Sequence, residues 1–254
     1  MRSIKTIAKS PFQWRHYRAA ANMMLTYDRP GTAFLRYLFG GGHFPNKLTL
    51  TTPSGPVAVT LYSEHDLLTV NEIFCRRDYD APNDAELVVD FGSNIGISAL
   101  FFLTRNARAH AYLFEPVPMN IGRLQSNLAG FEGRYTLFPF AVGVIEGTVP
   151  FGCESTGRYG GIGLSREKQI TVPCRKANSV IDEILARHGR IDVLKVDIES
   201  LEKEIVHGLG ERARRIETLF VENRFDSNPL EATHLYRQYG SVAQFRRRSP
   251  VTSD

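Results

Sequence analysis

The stretch from Leu87 to Glu115 constrains the fold of this chain more than any other segment. Its apolar beginning predicts a buried parallel strand, and the apolar run at 111–114 predicts a second one. Between the two runs lie a turn flanked by Gly92 and Gly96 and an apolar segment of helical length. Strand, glycine turn, helix and strand in this order predict the first half of a nucleotide-binding βαβ unit.

The residue types in this unit suit a ligand that carries a ribose. Glycines let the backbone approach a ligand closely, and the helix start behind them offers unpaired N–H groups and a positive dipole end. Glu115 follows Gly96 by 19 residues. An acid at the tip of the second strand, roughly 20 residues after the glycines, can accept hydrogen bonds from ribose hydroxyls.

The turn itself has the pattern D-x-G-x-N-x-G, which differs from the G-x-G-x-x-G of dinucleotide-binding proteins. Asp90 and Asn94 suit a cationic, zwitterionic ligand better than a pyrophosphate. S-adenosyl-L-methionine, with an ammonium, a carboxylate and a sulfonium, has that character. In the alternative interpretation Asp90 caps the helix and the glycines only turn the chain, because such turns recur in α/β folds that bind no nucleotide.

Length and cysteine usage narrow the class of protein. With 254 residues the chain is long enough for one sizeable α/β domain plus an extension. Its three cysteines are odd in number and have no C-x-x-C spacing, which argues against a disulfide framework or a zinc site and favours the cytoplasm. No apolar run approaches the ~20 residues of a membrane span, and the N-terminus lacks the apolar segment of a secretion signal.

Positive charge is concentrated at the N-terminus. The net charge is +4, yet residues 1–42 hold seven Lys or Arg against Asp28 alone. A solvated basic face is the favoured interpretation, with peripheral contact to an anionic surface as the alternative. Because few aromatic residues accompany the charges, a nucleic-acid partner is not expected.

Alternating strand and helix patterns predict a mostly parallel central sheet with helices on both faces. We expect an extension of helices, a β-hairpin and a further helix over 1–82, covering the active site. A ligand-binding domain follows over 83–240, with its last helix at 229–239, and a polar tail at 241–254. The glycine-rich segment 152–163 is predicted as a surface loop that can act as a lid.

Acids stand at the ends of four predicted strands, at Asp90, Glu115, Asp197 and Glu222. In an open parallel sheet, ligands bind beyond the carboxyl ends of the strands. Carboxylates gathered at one edge repel one another and need a compensating ligand, cation or hydrogen-bond network. This accumulation predicts a functional site at that edge.

Four motifs in order resemble the FkbM-type methyltransferase family: VVDFGSNIGISALFF, FEPVPMN with LQSN after it, FAVG, and LKVDIESLEKEIVHG. The resemblance covers roughly residues 60–225. It implies the class I methyltransferase Rossmann-like fold and O-methyl transfer from S-adenosyl-L-methionine. The sequence departs from the family at Ser200, where a glycine is usual, which puts a tight backbone approach there in doubt.

The resemblance also implies roles for individual residues. The catalytic residues would be Asp197, the first candidate for the base, and Glu199, the second. The cofactor-binding residues would be Asp90, Gly92, Ser93, Asn94 and Gly96 toward the methionine end, Glu115 at the ribose, and Phe140 and Ala141 beside the adenine.

The acceptor stays open at this point. A hydroxyl of a sugar, glycan or glycolipid is favoured by the polar 152–163 segment and the basic N-terminus. The alternatives are a polyketide-like secondary metabolite, a nucleic-acid methyltransferase and an inactive protein that binds S-adenosyl-L-methionine. No metal is expected, although Asp197, Glu222 and Asn223 would offer three oxygen ligands acceptable for magnesium.

Overall fold

A computed structural model describes residues 14–39 and 42–249. The helices in these ranges are α1 (Trp14–Thr26), α2 (Pro30–Phe39), α3 (Glu64–Val70), α4 (Ile97–Leu103), α5 (Pro118–Asn127), α6 (Ala177–His188) and α7 (Glu202–Gly208). A π-helical turn (Asn71–Cys75) continues α3, and short 3-10 helices occupy Glu132–Arg134 and Gly210–Arg215. The strands are β1 (Asn46–Thr52), β2 (Gly55–Leu61), β3 (Leu87–Phe91), β4 (His110–Phe114), β5 (Tyr135–Phe138), β6 (Ala141–Gly143), β7 (Gly147–Cys153), β8 (Gly160–Ile162), β9 (Lys168–Lys176), β10 (Ile191–Val196), β11 (Ile216–Glu222), β12 (His234–Tyr239) and β13 (Val242–Arg247).

A seven-stranded sheet forms the centre, in the order β12-β13-β11-β10-β3-β4-β5. The five strands from β11 to β5 are parallel, and β13 and β12 add an antiparallel edge. The chain runs from β3 outward through β4 to β5, then returns to lay β10 on the other side of β3. This reversal creates a topological switch point, where ligands bind in open α/β sheets.

Helices cover both faces of this sheet. On one face Val88 and Val193 pack in a core with the apolar residues of α4 and with Leu124 of α5. On the other face Val89 and Leu194 pack with the apolar sides of α6 and α7. Successive residues of a strand point to opposite faces, so a strand buried on both sides needs a continuous apolar run. The predicted α/β class is confirmed.

Residues before β3 pack on one face of the sheet. The predicted hairpin is present as β1 and β2, paired antiparallel. The predicted helix after it begins behind Ser63 in a capping box with Asp66, as α3. Helix α1 is fixed to the π-helical turn, because Asn22 Nδ2 donates to the Cys75 carbonyl over 2.6 Å and the Tyr27 hydroxyl donates to Asn71 over 2.9 Å.

A second sheet, of four strands in the order β6-β9-β7-β8, corrects two sequence expectations. The strand predicted over 135–142 is two strands, β5 and β6, in different sheets, because Pro139 interrupts it. The segment 152–163 is less of a loop than predicted. Strands β7 and β8 take its two ends and pair antiparallel, which leaves residues 154–159 as the loop.

The expected helix at 229–239 is wrong, and so is the expectation of an unpatterned tail at 242–247. These residues form β12 and β13, joined through Gly240-Ser241 and paired antiparallel, with Gly240 at φ +63°. A two-residue Gly-Ser connection is typical of a hairpin. The basic residues Arg2, Lys5 and Lys9 and the last five residues of the predicted tail lie outside the described ranges.

Candidate active site

A cavity opens at the carboxyl ends of the central strands, at the switch point. Seven of the residues predicted for the site line it: Gly92, Ser93, Asn94, Glu115, Ala141, Asp197 and Glu199. The other three predicted residues, Asp90, Gly96 and Phe140, do not line the cavity. The sequence therefore predicts where the cavity lies, but three of the predicted residues lie behind its wall.

Asp90 is fully buried and is held by other side chains. Its Oδ1 lies 3.0 Å from Nζ of Lys195, and its Oδ2 accepts a hydrogen bond of 2.6 Å from Ser98. Burial raises the pKa of Asp90, and the charge of Lys195 opposes that effect. Asp90 therefore lies beneath the glycine turn, behind the cavity wall.

Lys195 links Asp90 to the catalytic candidates, and the sequence analysis missed it. Its Nζ lies 3.2 Å from Oδ2 of Asp197 and donates to the Gly92 carbonyl over 2.9 Å. Burial alone would lower the pKa of Lys195, but the carboxylates of Asp197 and Asp90 outweigh burial and raise it. The signal was present, because a lysine inside the apolar run IDVLKV must find a buried partner.

The packing around position 92 requires a glycine, independently of any contact with a ligand. Gly92 adopts φ +82°, and a Cβ at this position would lie 1.8 Å from the carbonyl oxygen of Asp197. The amide of Asp197 donates to the Phe91 carbonyl over 3.1 Å. Glycine thus lets the end of β10 approach the turn after β3, which brings Asp197 to the cavity.

Gly96 and Phe140 also pack behind the wall. Gly96 is the residue before α4, and a Cβ there would lie 3.1 Å from Leu124 of α5. The Phe140 ring packs on that of Phe114, a residue that lines the cavity, with 5.4 Å between centroids. Ala141 and Val142 form the wall on the Phe140 side.

Glu115 is aimed at the cavity by backbone groups on both sides of it. Its Oε2 accepts from the Asn94 amide at 2.9 Å and its Oε1 from the Val117 amide at 3.0 Å. Burial raises the pKa of Glu115 to about 7, against these hydrogen bonds. Neighbouring Asn120 is 2% exposed, and its Oδ1 has no hydrogen-bond partner among the described residues. The wall therefore offers acceptor oxygens to a ligand with hydroxyl donors.

The loop 154–159 packs against the wall of the cavity at Asn94 and Asn120. Asn94 Nδ2 donates to the Arg158 carbonyl over 2.9 Å, and Asn120 Nδ2 donates to the Gly157 carbonyl over 2.8 Å. Gly157 has φ +79°, and a Cβ there would lie 2.3 Å from Oδ1 of Asn120. The segment 152–163, predicted to cover the site, does contact the cavity wall, and Gly157 leaves the space that this contact needs.

Three further carboxylates line the same cavity, those of Asp197, Glu199 and Glu222. Asp197 and Glu222, on adjacent strand ends, are joined by a hydrogen bond between their side chains. The negative charge of Asp197 is the main reason that the pKa of Glu222 is raised well above its usual value, and burial adds to it. Two carboxyl groups this close favour a state in which one of the pair is protonated.

Glu199 is the third of these carboxylates. Burial, and then the charges of Asp197 and Glu202, raise the pKa of Glu199 to about 7. Its φ of +67° is unusual for a residue with a side chain, and such strain clusters at functional sites. The positive φ of this turn lies at Glu199 and not at Ser200, the position where the resemblance implies a glycine.

Asn223, the third residue of the possible metal set, has partners of its own. Its Nδ2 lies 3.4 Å from Glu202, and its Oδ1 accepts from the Arg224 amide over 2.8 Å. Within the described ranges, no group of three or more His, Cys, Asp or Glu is placed to hold a metal ion.

Residues before β3 complete the cavity on the side of the three carboxylates. They come from α3, the π-helical turn and the connector after it: Asp66, Thr69, Glu72, Ile73, Asp78 and Tyr79. The Tyr79 ring is buried against Phe220, with centroids 5.5 Å apart, and lies 5.8 Å from Nζ of Lys195. Sequence reasoning missed these wall residues because no local pattern marks them.

The pKa of Glu199 predicts a pH dependence of stability. A carboxyl whose folded pKa lies at about 7, above the ordinary 4.5, favours folding when protonated. Its stabilising contribution is complete below 4.5 and is lost as the pH rises through about 7. We expect Glu199→Gln to gain melting temperature relative to the wild type across this range, measured by thermal unfolding at several pH values.

The matched control is Glu204→Gln, which removes an exposed acid from the first turn of α7. Its melting temperature should follow that of the wild type at every pH. A Glu199→Gln curve parallel to the wild-type curve would contradict the assignment of the raised pKa to Glu199.

Fold and site together define a class of protein. A mostly parallel seven-stranded sheet with an antiparallel edge, a glycine turn after its first core strand and an acid at the tip of the next is the class I methyltransferase architecture. The chain belongs to the FkbM methyltransferase family, whose domain model matches residues 90–245. The resemblance noted in the sequence is confirmed, and the protein is a methyltransferase.

Two curated proteins are similar in sequence. The hexuronic acid methyltransferase AglP of Haloferax volcanii is 24% identical over 178 residues, which cover 66% of this chain and 72% of AglP. The AMB antimetabolite synthetase AmbE of Pseudomonas aeruginosa is 26% identical over 184 residues, which cover 57% of this chain and 8% of AmbE. This chain therefore corresponds to a small part of AmbE and to most of AglP.

Solved structures with a similar course of the chain include other methyltransferases. A methyltransferase from Geobacter sulfurreducens aligns with a TM-score of 0.44 at 13% identity, over 71% of this chain and 79% of that one. A protein described as a putative caffeoyl-CoA O-methyltransferase from Staphylococcus aureus aligns with a TM-score of 0.39 at 10% identity, over 72% and 81%.

Proposed function

We propose that this protein transfers a methyl group from S-adenosyl-L-methionine to a hydroxyl group of a sugar, glycan or glycolipid. The observation that carries the proposal is the composition of the cavity. Glu115, the glycine turn, Asp197 and Glu199 all line the same cavity. A cofactor bound along Glu115 and the glycine turn would therefore lie beside the carboxylates that would face the acceptor.

The residues present fit this cofactor. The Glu115 carboxylate and Oδ1 of Asn120, which has no hydrogen-bond partner among the described residues, are both acceptors, which suits the hydroxyls of a ribose. Gly92, Ser93 and Asn94 would lie along the methionine part, and Ala141 beside the adenine. Asp90 and Gly96 would support this turn from behind, and Phe140 would support the adenine wall.

S-adenosyl-L-methionine supplies an electrophilic methyl group when bound. The chain's own residues have two tasks, to hold the acceptor hydroxyl in line and to take its proton. We assign the proton to Asp197, whose other partners, Lys195 and Glu222, hold its carboxylate in place. Glu199 is the second candidate, because a pKa of about 7 lets it exchange a proton near neutral pH.

A polar acceptor is supported by three observations. The loop 154–159 that covers the cavity is polar, and carboxylates that can bind hydroxyl groups surround the proposed base. The similarity to a protein described as a hexuronic acid methyltransferase also favours a sugar. The cytoplasm is the proposed location, since Cys75, Cys153 and Cys174 are all free thiols.

A substrate panel tests the acceptor class. The purified protein is incubated with radiolabelled S-adenosyl-L-methionine and with neutral sugars, uronic acid glycans, lipid-linked saccharides, a macrolide and RNA. We expect label in at least one saccharide at an oxygen. Label confined to the macrolide or the RNA would overturn the sugar assignment. Retained cofactor binding with no labelled product from any acceptor would overturn enzymatic activity itself.

A further inference from the structure

Exposed apolar side chains are concentrated in α1 and α2. The described residues leave eight large hydrophobic side chains exposed, and five of them lie on these two helices: Tyr17, Met24, Leu25, Phe34 and Leu35. Leu25 is 73% exposed and Met24 64%. Isolated exposed leucines are ordinary, but a concentration of them on two consecutive helices indicates a surface that meets another apolar phase.

The opposite sides of the same helices are firmly packed. Met23 of α1, Ala33 of α2 and Tyr27, which directly follows α1, belong to the core that α4 and α5 share with the central sheet. The hydrogen bonds from Asn22 and Tyr27 to the π-helical turn also fix α1. The exposed side chains are therefore an outward face of anchored helices and are held in place.

The charge of the N-terminal region indicates which kind of partner binds the apolar face of α1 and α2. Residues 1–42 carry seven Lys or Arg and a single acid, Asp28. Among the described side chains Arg29 is exposed, whereas Arg18 pairs with Asp80 and Arg36 donates to Asn46. A second copy of the chain would bring two such basic segments together, at an electrostatic cost. A nucleic acid would match the cations but leave the apolar side chains against water. An anionic bilayer offers headgroups to the cations and acyl chains to Leu25 and Phe34.

We propose that α1 and α2 lie in the interface of an anionic membrane, with their exposed apolar side chains inserted and the net positive charge of the segment attracted to the anionic headgroups. Within residues 14–39 and 42–249, no helix has the length and apolar character of a bilayer span. The contact is peripheral and depends on both apolar insertion and charge.

This docking has a consequence for the cavity. Helix α1 packs on the π-helical turn, and Glu72 and Ile73 of that turn line the cavity on the side of the catalytic carboxylates. Membrane-bound protein would hold that side of the cavity close to the lipid surface. An acceptor attached to a lipid would then be methylated without leaving the bilayer.

Vesicle flotation tests the membrane contact and does not depend on methyl transfer. Vesicles of phosphatidylcholine with 30–40 mol% phosphatidylglycerol (roughly a third anionic lipid) are compared with pure phosphatidylcholine. We expect the protein to float with the anionic vesicles, less so as salt is added, and not with the neutral ones. The double variant Met24→Glu/Leu25→Glu should lose about tenfold or more in vesicle partitioning.

The matched control is Val144→Glu/Ile145→Glu, which places the same two charges on another adjacent exposed pair, after β6. It should float like the wild type, and thermal unfolding should show both variants folded. Equal flotation of the two double variants, or none by the wild type, would overturn the proposal. Two other results would also overturn it if the protein does not bind vesicles. One is a dimer that Met24→Glu/Leu25→Glu abolishes, and the other is salt-sensitive binding to RNA.

Discussion

Asp197→Asn is expected to lower kcat by about 10²–10⁴-fold while the protein stays folded. Asparagine keeps the size of the side chain but cannot take the acceptor proton. Asp197 is the first candidate for the base, because it lines the cavity and its carboxylate is held by Lys195 and Glu222. The measurement is initial-rate kinetics on the acceptor found in the panel, with cofactor affinity measured in parallel.

The cofactor affinity of Asp197→Asn shows whether Asp197 acts as a base or contributes to cofactor binding. We expect the Kd for S-adenosyl-L-methionine to change little in Asp197→Asn, since the asparagine still fills the same space. The control Asp84→Asn removes an exposed carboxylate before β3 and should keep the wild-type rate. A wild-type kcat in Asp197→Asn would reject its role as base and move that role to Glu199.

Lys195→Met is expected to reduce the free energy of unfolding by about 3–5 kcal/mol. The substitution leaves Asp90, which is fully buried, without the cation that compensates it. Removal of one partner of a buried ion pair costs far more than a surface charge does, because the remaining charge cannot reach water. Urea denaturation at neutral pH measures the loss, and the turn at Gly92 should bind the cofactor more weakly.

A charge-balanced variant distinguishes this cause from simple loss of packing. Asp90→Asn/Lys195→Met removes the stranded charge as well and should recover part of the lost stability. Lys168→Met, on the exposed start of β9, should unfold like the wild type. A loss below about 1 kcal/mol for Lys195→Met, or no recovery in the double variant, would contradict the buried-pair account.

The part of the site that could be predicted from sequence is the part encoded locally. The unit from β3 to β4 has a strong apolar pattern, a glycine turn and an acid at the expected distance, and the structure places Gly92, Asn94 and Glu115 on one cavity. Likewise, Asp197 follows an apolar strand directly. Each of these residues lies at the end of an element whose type follows from its own sequence.

The parts that sequence missed depend on contacts between distant segments. Lys195 acquires its meaning only from Asp90, 105 positions away, across two neighbouring strands. Tyr79 reaches the cavity because the segment before β3 folds over the strand ends. The sequence at 229–239 predicts a helix, but β12 pairs with β13, and β13 pairs with β11, so that pairing with distant strands decides the outcome.

Calorimetric binding of S-adenosyl-L-methionine to the purified protein tests the central claim most directly. Glu115→Gln is the variant, Glu231→Gln on an exposed loop is its control, and NAD is the competing ligand. We predict micromolar binding of S-adenosyl-L-methionine to the wild type and the control, binding about tenfold or more weaker to Glu115→Gln, and none of NAD. Binding of NAD without S-adenosyl-L-methionine, or equal affinity in Glu115→Gln, would contradict the account.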